Sequence, residues 1–122
     1  MNVWQLLGQG SVGSQSLTGL ARLFKFSKRQ DLNKKVQFWP FDTGWDRNLQ
    51  GIVLAEVWPS LNEFETIDHP IKDARQVTAC LNWLSQKNKN GTIQELFSAP
   101  QSVTPGERIN CLTEEGWILG VD

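Results

Sequence analysis

The sequence predicts an α/β domain with a small sheet of two to four strands flanked by helices. One observation is a continuous apolar run within residues 51–58, which is typical of a strand that is buried on both faces. The other is a pair of segments, near residues 17–24 and 70–87, in which apolar residues recur every three or four positions. A chain that combines such strands and helices belongs to the α/β class.

The first predicted helix follows an apolar segment and a loop. Residues 3–7 are apolar and fit a short strand or a helix end, and residues 8–14 form a glycine-serine loop. Ser14 or Ser16 is a candidate N-cap of the helix. The basic end of the helix suits the negative end of its dipole. Its apolar stripe consists of Leu17, Leu20, Leu23 and Phe24.

Two strands come next. Residues 30–35 are polar and predict a surface loop, and the segment from Val36 to Trp39 predicts a strand that Pro40 ends. Residues 42–50 predict an exposed turn. The apolar segment over residues 51–58 predicts the second strand, and its two apolar faces place it centrally in the sheet.

The remainder of the chain is predicted to be mostly helical. After a linker over residues 60–69, Pro70 is expected in the first turn of a helix that ends near residue 87. The predicted buried stripe of this helix is Ile71, Ala74, Val77 or Thr78, Leu81 and Leu84. Short helices are predicted near residues 92–98 and 107–112, and residues 117–121 predict a short strand or a packed tail.

Few strands are predicted for a chain of this class. Only two or three are clear, whereas a typical sheet has about five or six. The shortage indicates a missing piece of the fold, an oligomer, or strands that the pattern does not reveal. An exposed strand edge invites pairing with another chain, so the candidate partners are a second copy and a different chain that completes the sheet.

Composition limits the classes of function. The chain has 122 residues, which predicts one domain over residues 1–122, and its formal net charge is −1. Nucleic-acid binding is therefore not indicated by charge. The beginning of the sequence has no basic leader and no apolar run approaches the roughly 18 residues of a membrane span. We expect a cytoplasmic protein with no membrane partner.

The residues that most often bind metals or form disulfides are scarce. Cys80 and Cys111 are the only cysteines, and their spacing predicts buried thiols rather than a disulfide framework or a zinc motif. The single histidine, His69, cannot form a metal site alone. Six Trp residues and no Tyr predict a tryptophan-rich core, or alternatively a surface on which bases or sugars stack.

Residues 8–13 match the G-x-G-x-x-G pattern of a dinucleotide-binding loop. Such a loop holds a phosphate with backbone donors at a helix N-terminus. However, the apolar segment before it is barely five residues long. A dinucleotide-binding unit also needs an acid about 20 residues after its glycine loop. Here the first acid near the end of the next strand is Asp42, which lies well beyond that distance from the loop. The pattern therefore favours a structural loop or a phosphate contact over a dinucleotide site.

Glu56 is an acid inside the apolar strand. Alternation places it on the same face as Ile52 and Leu54, which predicts that it points toward a buried layer. A buried carboxylate needs a partner, a metal or a raised pKa. It also lies near the end of the strand where α/β sites collect. The alternatives are that this strand end is exposed, or that Glu56 pairs with a structural arginine such as Arg75.

Two further acids are candidate partners for Glu56 in a metal site. Asp73 lies in the first turn of the long predicted helix, where its structural role would be to complement the helix dipole. Its functional role would be to face Glu56 across Mg²⁺ or Mn²⁺, as carboxylates do in phosphodiester chemistry. Asp42 is a weaker candidate for a third ligand, and Asp46 beside it is a turn residue of the same kind.

Five motifs in order resemble a known family. They are Gly10-Ser-Val-Gly-Ser-Gln15, Trp39-Pro-Phe-Asp-Thr-Gly44, Val53-Leu-Ala-Glu-Val-Trp-Pro-Ser60, Ile71-Lys-Asp-Ala-Arg-Gln-Val77 and Glu114-Glu-Gly-Trp-Ile-Leu-Gly-Val121. Together they resemble uncharacterised bacterial proteins that are often labelled as similar to cobalamin biosynthesis protein G. That family is related to predicted nucleases with a ribonuclease H-like fold.

The resemblance implies that this chain corresponds to the C-terminal half of a ribonuclease H-like domain. Glu56 falls where the family has an acid on an inner strand, and Asp73 falls in an Asp-Ala helix. The front half, with the first acid of the site, is not matched, so we do not expect activity from this chain alone. The sequence thus leaves two hypotheses, a remnant of a metal-dependent nuclease and a non-catalytic interaction module that completes its sheet with another chain.

Overall fold

A computed structural model describes residues 13–32 and 35–122 of the chain, which divides into two units, residues 1–36 and 37–122. The described part combines helices with a small two-stranded sheet, so the predicted α/β class is confirmed. The predictions for residues 3–7 and 8–12 lie outside the described residues. No described helix is long and apolar enough to cross a membrane.

The first unit contains a helix, α1, over Gly13–Ser27. Because the helix already begins at Gly13, Ser14 and Ser16 lie inside it, and the prediction that one of them is the N-cap was wrong. The predicted apolar stripe is present, and all four of its residues are exposed. Beyond the helix, the Arg29 guanidinium forms an exposed ion pair with Asp31 at 2.8 Å.

The sheet consists of β1 (Val36–Phe38) and β2 (Ile52–Leu54). The first of these strands was predicted correctly, with Pro40 just beyond its end. The Trp39 amide donates to the Leu54 carbonyl at 2.9 Å and continues the pairing. All six residues of the two strands are half-buried. Each strand has a neighbour on one side only among the described residues, so the sheet is too small to be stable without packing on other elements.

The second strand is shorter than predicted. Regular pairing ends at Leu54, and two residues later the chain changes its hydrogen-bonding partner. The Glu56 carbonyl accepts from the Leu119 amide at 2.8 Å, within an isolated parallel bridge between Glu56 and Ile118. Pro59 then begins a short 3₁₀ turn, Pro59–Leu61. The prediction of a central strand over residues 51–58 was therefore wrong in its length, and also in its position, because β2 pairs with β1 alone in the sheet of the described residues.

The long helix α2 covers Lys72–Lys89. It begins after Pro70 rather than around it, because Ile71 is extended and its amide donates to Nδ1 of His69 at 3.1 Å. The predicted buried stripe was largely wrong. Ile71, Val77 and Leu81 are exposed and Ala74 and Leu84 are half-buried, whereas the buried side chains of α2 are the small residues Ala79 and Cys80.

The C-terminal third folds into short helical pieces. A 3₁₀ helix over Ile93–Phe97 confirms the predicted short helix. Helix α3 covers Pro105–Asn110 and begins with a capping box. In that box the Thr104 amide donates to the Glu107 carboxylate and the Glu107 amide donates to Thr104 Oγ1. The Thr104 hydroxyl also donates to this carboxylate at 2.6 Å, and that hydrogen bond, together with the one from the Thr104 amide, lowers the pKa of Glu107. A π-helical turn over Cys111–Glu115 follows.

The buried core of the described residues is small and lies in the second unit. Trp39 packs edge-to-face against Phe97, with ring centroids 5.9 Å apart, and Pro40 beside it is fully buried. The other buried apolar side chains are Ala79, Cys80, Cys111 and Leu119. Both cysteines are free thiols, as predicted, and burial raises the pKa of Cys80.

Candidate functional site

Glu56 lies at the bridge between the end of the sheet and the C-terminal segment, and its side chain is exposed. The prediction that it points into a buried layer was wrong. Alternation along a strand holds only while the strand continues, and here the regular strand ends at Leu54. Among the described residues Glu56 makes no ion pair with Arg75, whose guanidinium lies 5.9 Å from the Phe64 ring centre. The exposed-end alternative is the one that the structure confirms.

An open cleft of about 380 Å³ lies beside Glu56. It contains two carboxylates, because Glu115 at the end of the π-helical turn lines the same cleft. Trp58 and Trp117 contribute indole rings, and the Trp117 indole N–H donates to the Val121 carbonyl at 2.9 Å, which fixes that ring. The remaining lining residues are Gly116, Ile118 and Val121. Indole faces next to carboxylates suit an apolar or cationic side chain from another molecule.

Asp73 and Asp42 do not line this cleft. Asp73 is the second residue of α2 and is exposed, a position in which a carboxylate complements the helix dipole. Asp42 closes the turn after β1, where its carboxylate accepts from the Phe38 amide at 2.8 Å. Both positions give these residues a sufficient structural role. Their role as metal ligands stays a prediction.

The described residues hold no group of three or more His, Cys, Asp or Glu side chains that could bind a metal ion together. The structure thus brings Glu56 together with Glu115, which the sequence did not single out as a ligand. The two residues are far apart in sequence and line the same cleft because the chain after Glu115 bridges back to Glu56 at Ile118. No periodicity or spacing in the sequence could have shown this pairing.

The tryptophans fit neither sequence-based alternative alone. Trp39 is buried in the core, and its indole N–H donates to the Phe97 carbonyl at 3.3 Å. Trp58 is exposed, and Trp117 is half-buried beside it in the cleft. Trp45 is half-buried, with the Arg108 guanidinium 5.0 Å above its ring. The side chains therefore divide between core and surface.

Comparisons with protein-family models, with curated proteins and with solved structures gave no match to this chain. The ribonuclease H-like fold and the family resemblance therefore stay predictions.

Proposed function

We propose that this chain is a non-catalytic interaction module that binds another protein chain over its exposed apolar side chains. The observation that carries the proposal is that the second unit leaves more large apolar side chains exposed than it buries in its small core. Seven of its large apolar residues are close to half exposed or more: Phe41, Trp58, Leu61, Ile71, Val77, Leu81 and Ile109. Fully burying one such side chain is worth about 1.5–3 kcal/mol, so covering several of them is a substantial driving force.

The sheet supports the same proposal. Two strands of three residues each bury little on their own, and each has a neighbour on one side only among the described residues. A third strand from another chain would add backbone hydrogen bonds along an unpaired edge. The cleft beside Glu56, with its indole rings and carboxylates, would accept a side chain of the same partner.

Sedimentation velocity over a wide range of protein concentration tests the proposal. We expect a weight-average mass that rises with concentration, because exposed apolar side chains favour association. Thermal unfolding, followed in parallel, should shift to higher temperature as the protein concentration increases, since association stabilises the folded state by mass action. A protein that stays monomeric throughout and unfolds cooperatively at a constant temperature would contradict the proposal.

One observation favours the second candidate, a remnant of a metal-dependent nuclease: Glu56 and Glu115 line one cleft. Two carboxylates can hold Mg²⁺ while water completes its coordination shell. This candidate would need Glu115 in place of the predicted Asp73 and Asp42.

Calorimetric titration with Mg²⁺ and Mn²⁺ separates the two candidates. For the interaction module we expect the same negligible heat from the wild type and from Glu56→Gln. Glu63→Gln is the matched control, because Glu63 is also exposed but does not line the cleft. Saturable binding that is present in the wild type and in Glu63→Gln, but lost in Glu56→Gln, would establish the metal site and count against a purely non-catalytic role.

A further inference from the structure

Two helices carry exposed apolar stripes of similar form. On α1 the stripe residues Leu17, Leu20, Leu23 and Phe24 are between 42% and 63% exposed. On α2 the stripe residues Val77 and Leu81 are 48% and 60% exposed, and Ile71 just before the helix is 61% exposed. The spacings of three, four and seven residues on α1, and of four residues between Val77 and Leu81 on α2, keep each set on one helix face. Each stripe therefore has the pattern of a helix face that packs against another helix.

The two units that carry these stripes have opposite charge. Residues 1–36 contain six basic and one acidic residue, whereas residues 37–122 contain six basic and twelve acidic residues. The basic residues cluster at the C-terminal end of α1, where Lys25 and Lys28 are exposed. The acidic residues cluster before and at the start of α2 and are all exposed: Glu63, Glu65, Asp68 and Asp73.

The basic residues near the start of α2 cancel only half of this acidic cluster, because two cations, Lys72 and Arg75, accompany its four carboxylates. The Lys72 ammonium lies 5.7 Å from the centre of the Phe64 ring, and the Arg75 guanidinium lies 5.9 Å from the same centre. Both cations are thus placed beside one aromatic ring. At the opposite end of α2, Lys87 and Lys89 make the last turn basic. The helix therefore presents an acidic beginning and a basic end to a partner.

We propose that the partner is a second copy of this chain, in which α1 of one copy packs antiparallel on the α2 stripe of the other, and reciprocally. This inference rests on the proposed interaction function. The antiparallel direction places Lys25 and Lys28 beside the acidic beginning of α2 and keeps them away from its basic end. It also sets the two helix dipoles in opposite directions, which is the favourable arrangement.

Self-complementarity is the reason for choosing a second copy. One chain carries both halves of the pair. Helix α1 has a basic end and one apolar stripe, and helix α2 has an acidic beginning and the other apolar stripe. A two-fold axis then repeats the contact, which is the commonest symmetry of protein dimers. The two stripes together provide six large apolar residues from each copy, with charged residues around them, an arrangement typical of an apolar interface centre with a polar rim.

Charge-swap variants test this pairing by sedimentation at low ionic strength, where screening of exposed charges is weakest. The first variant is Lys25→Glu with Lys28→Glu, and the second is Glu65→Lys with Asp73→Lys. We expect each to self-associate about tenfold to hundredfold more weakly than the wild type, because like charges oppose each other at both symmetric contacts. Mixing the two should restore association to near the wild-type level, since both contacts of the mixed dimer then join opposite charges.

Lys87→Glu with Lys89→Glu is the matched control. It changes the net charge by the same amount as the first variant, but at the end of α2 away from the basic end of α1, so the dimer should persist. Leu20→Ala removes part of the α1 stripe at an exposed position, so the fold should remain and association should weaken. Circular dichroism of every variant confirms that its helices are retained.

The outcomes separate this pairing from the proposed function. If the wild type associates and neither charge variant changes its dissociation constant, another face forms the interface, and only the helix pairing is wrong. If both variants weaken association and mixing restores nothing, the pairing between copies is also wrong. If the wild type stays monomeric at every concentration with cooperative unfolding, the proposed interaction function itself is contradicted.

Discussion

Replacing Trp39 with alanine is expected to lower the free energy of unfolding by about 3–5 kcal/mol, the usual cost of truncating a buried tryptophan or phenylalanine. Trp39 is 3% exposed and packs edge-to-face against Phe97 at 5.9 Å. The substitution leaves a cavity and removes the indole donor from the Phe97 carbonyl. Because small domains are stable by only about 5–15 kcal/mol, much of the protein should unfold at moderate urea concentration. Urea denaturation followed by far-ultraviolet circular dichroism measures the loss.

Trp58→Ala is the matched control for Trp39→Ala. Trp58 is 53% exposed, so its truncation should change the free energy of unfolding of the monomer by less than about 1 kcal/mol. Trp39→Phe should fall between the two, because it retains a packed ring but lacks the indole donor. Equal losses for Trp39→Ala and Trp58→Ala would show that the core is not centred on Trp39.

The elements that the sequence predicted well are those whose signal is local. Periodicity located α1 and α2, and the proline at position 40 marked the end of β1. The observed start of α2 differed from the predicted one because a side chain there accepts a hydrogen bond from the backbone. His69 binds the Ile71 amide and delays the start of α2 beyond the proline that was expected to open it.

Periodicity did not predict which helix face is buried. It grouped Val77 and Leu81 on one face of α2, but a shared face is buried only when another element covers it, and Ile71 lies just before the helix. The protein instead buries the small side chains of Ala79 and Cys80, which allow neighbouring segments to approach the helix closely. Which face packs depends on the paths of distant segments, and no pattern within α2 contains that information.

The candidate site depended on similar long-range information. Glu56 was recognisable as an acid in an apolar segment, but Glu115 lines the same cleft only because the chain bridges back to Glu56 at Ile118. The charge difference between residues 1–36 and 37–122, by contrast, can be counted directly from the sequence. The overall net charge of −1 conceals it, and only a count of charges by segment reveals it.

Replacing Gly120 with alanine is expected to destabilise the protein by about 2–5 kcal/mol, through backbone strain and overlap together. Gly120 has a φ of +81°, in the left-handed region where a Cβ atom is costly. A Cβ atom built there would lie 2.5 Å from Cη2 and 3.0 Å from Cζ2 of Trp83, so the α2 side chain or the C-terminal segment must move. Moving that segment would disturb buried Leu119, whose amide binds the Glu56 carbonyl.

Gly44→Ala separates the two parts of the Gly120 effect. Gly44 has a φ of +61°, but a Cβ atom there would meet nothing within 4 Å, so only the backbone strain of about 1–2 kcal/mol is expected. The difference between the two variants in urea denaturation therefore measures the overlap with Trp83. Trp83→Leu should relieve that overlap in the double variant with Gly120→Ala. Equal destabilisation by Gly120→Ala and Gly44→Ala would show that the C-terminal segment does not pack against α2 at Trp83.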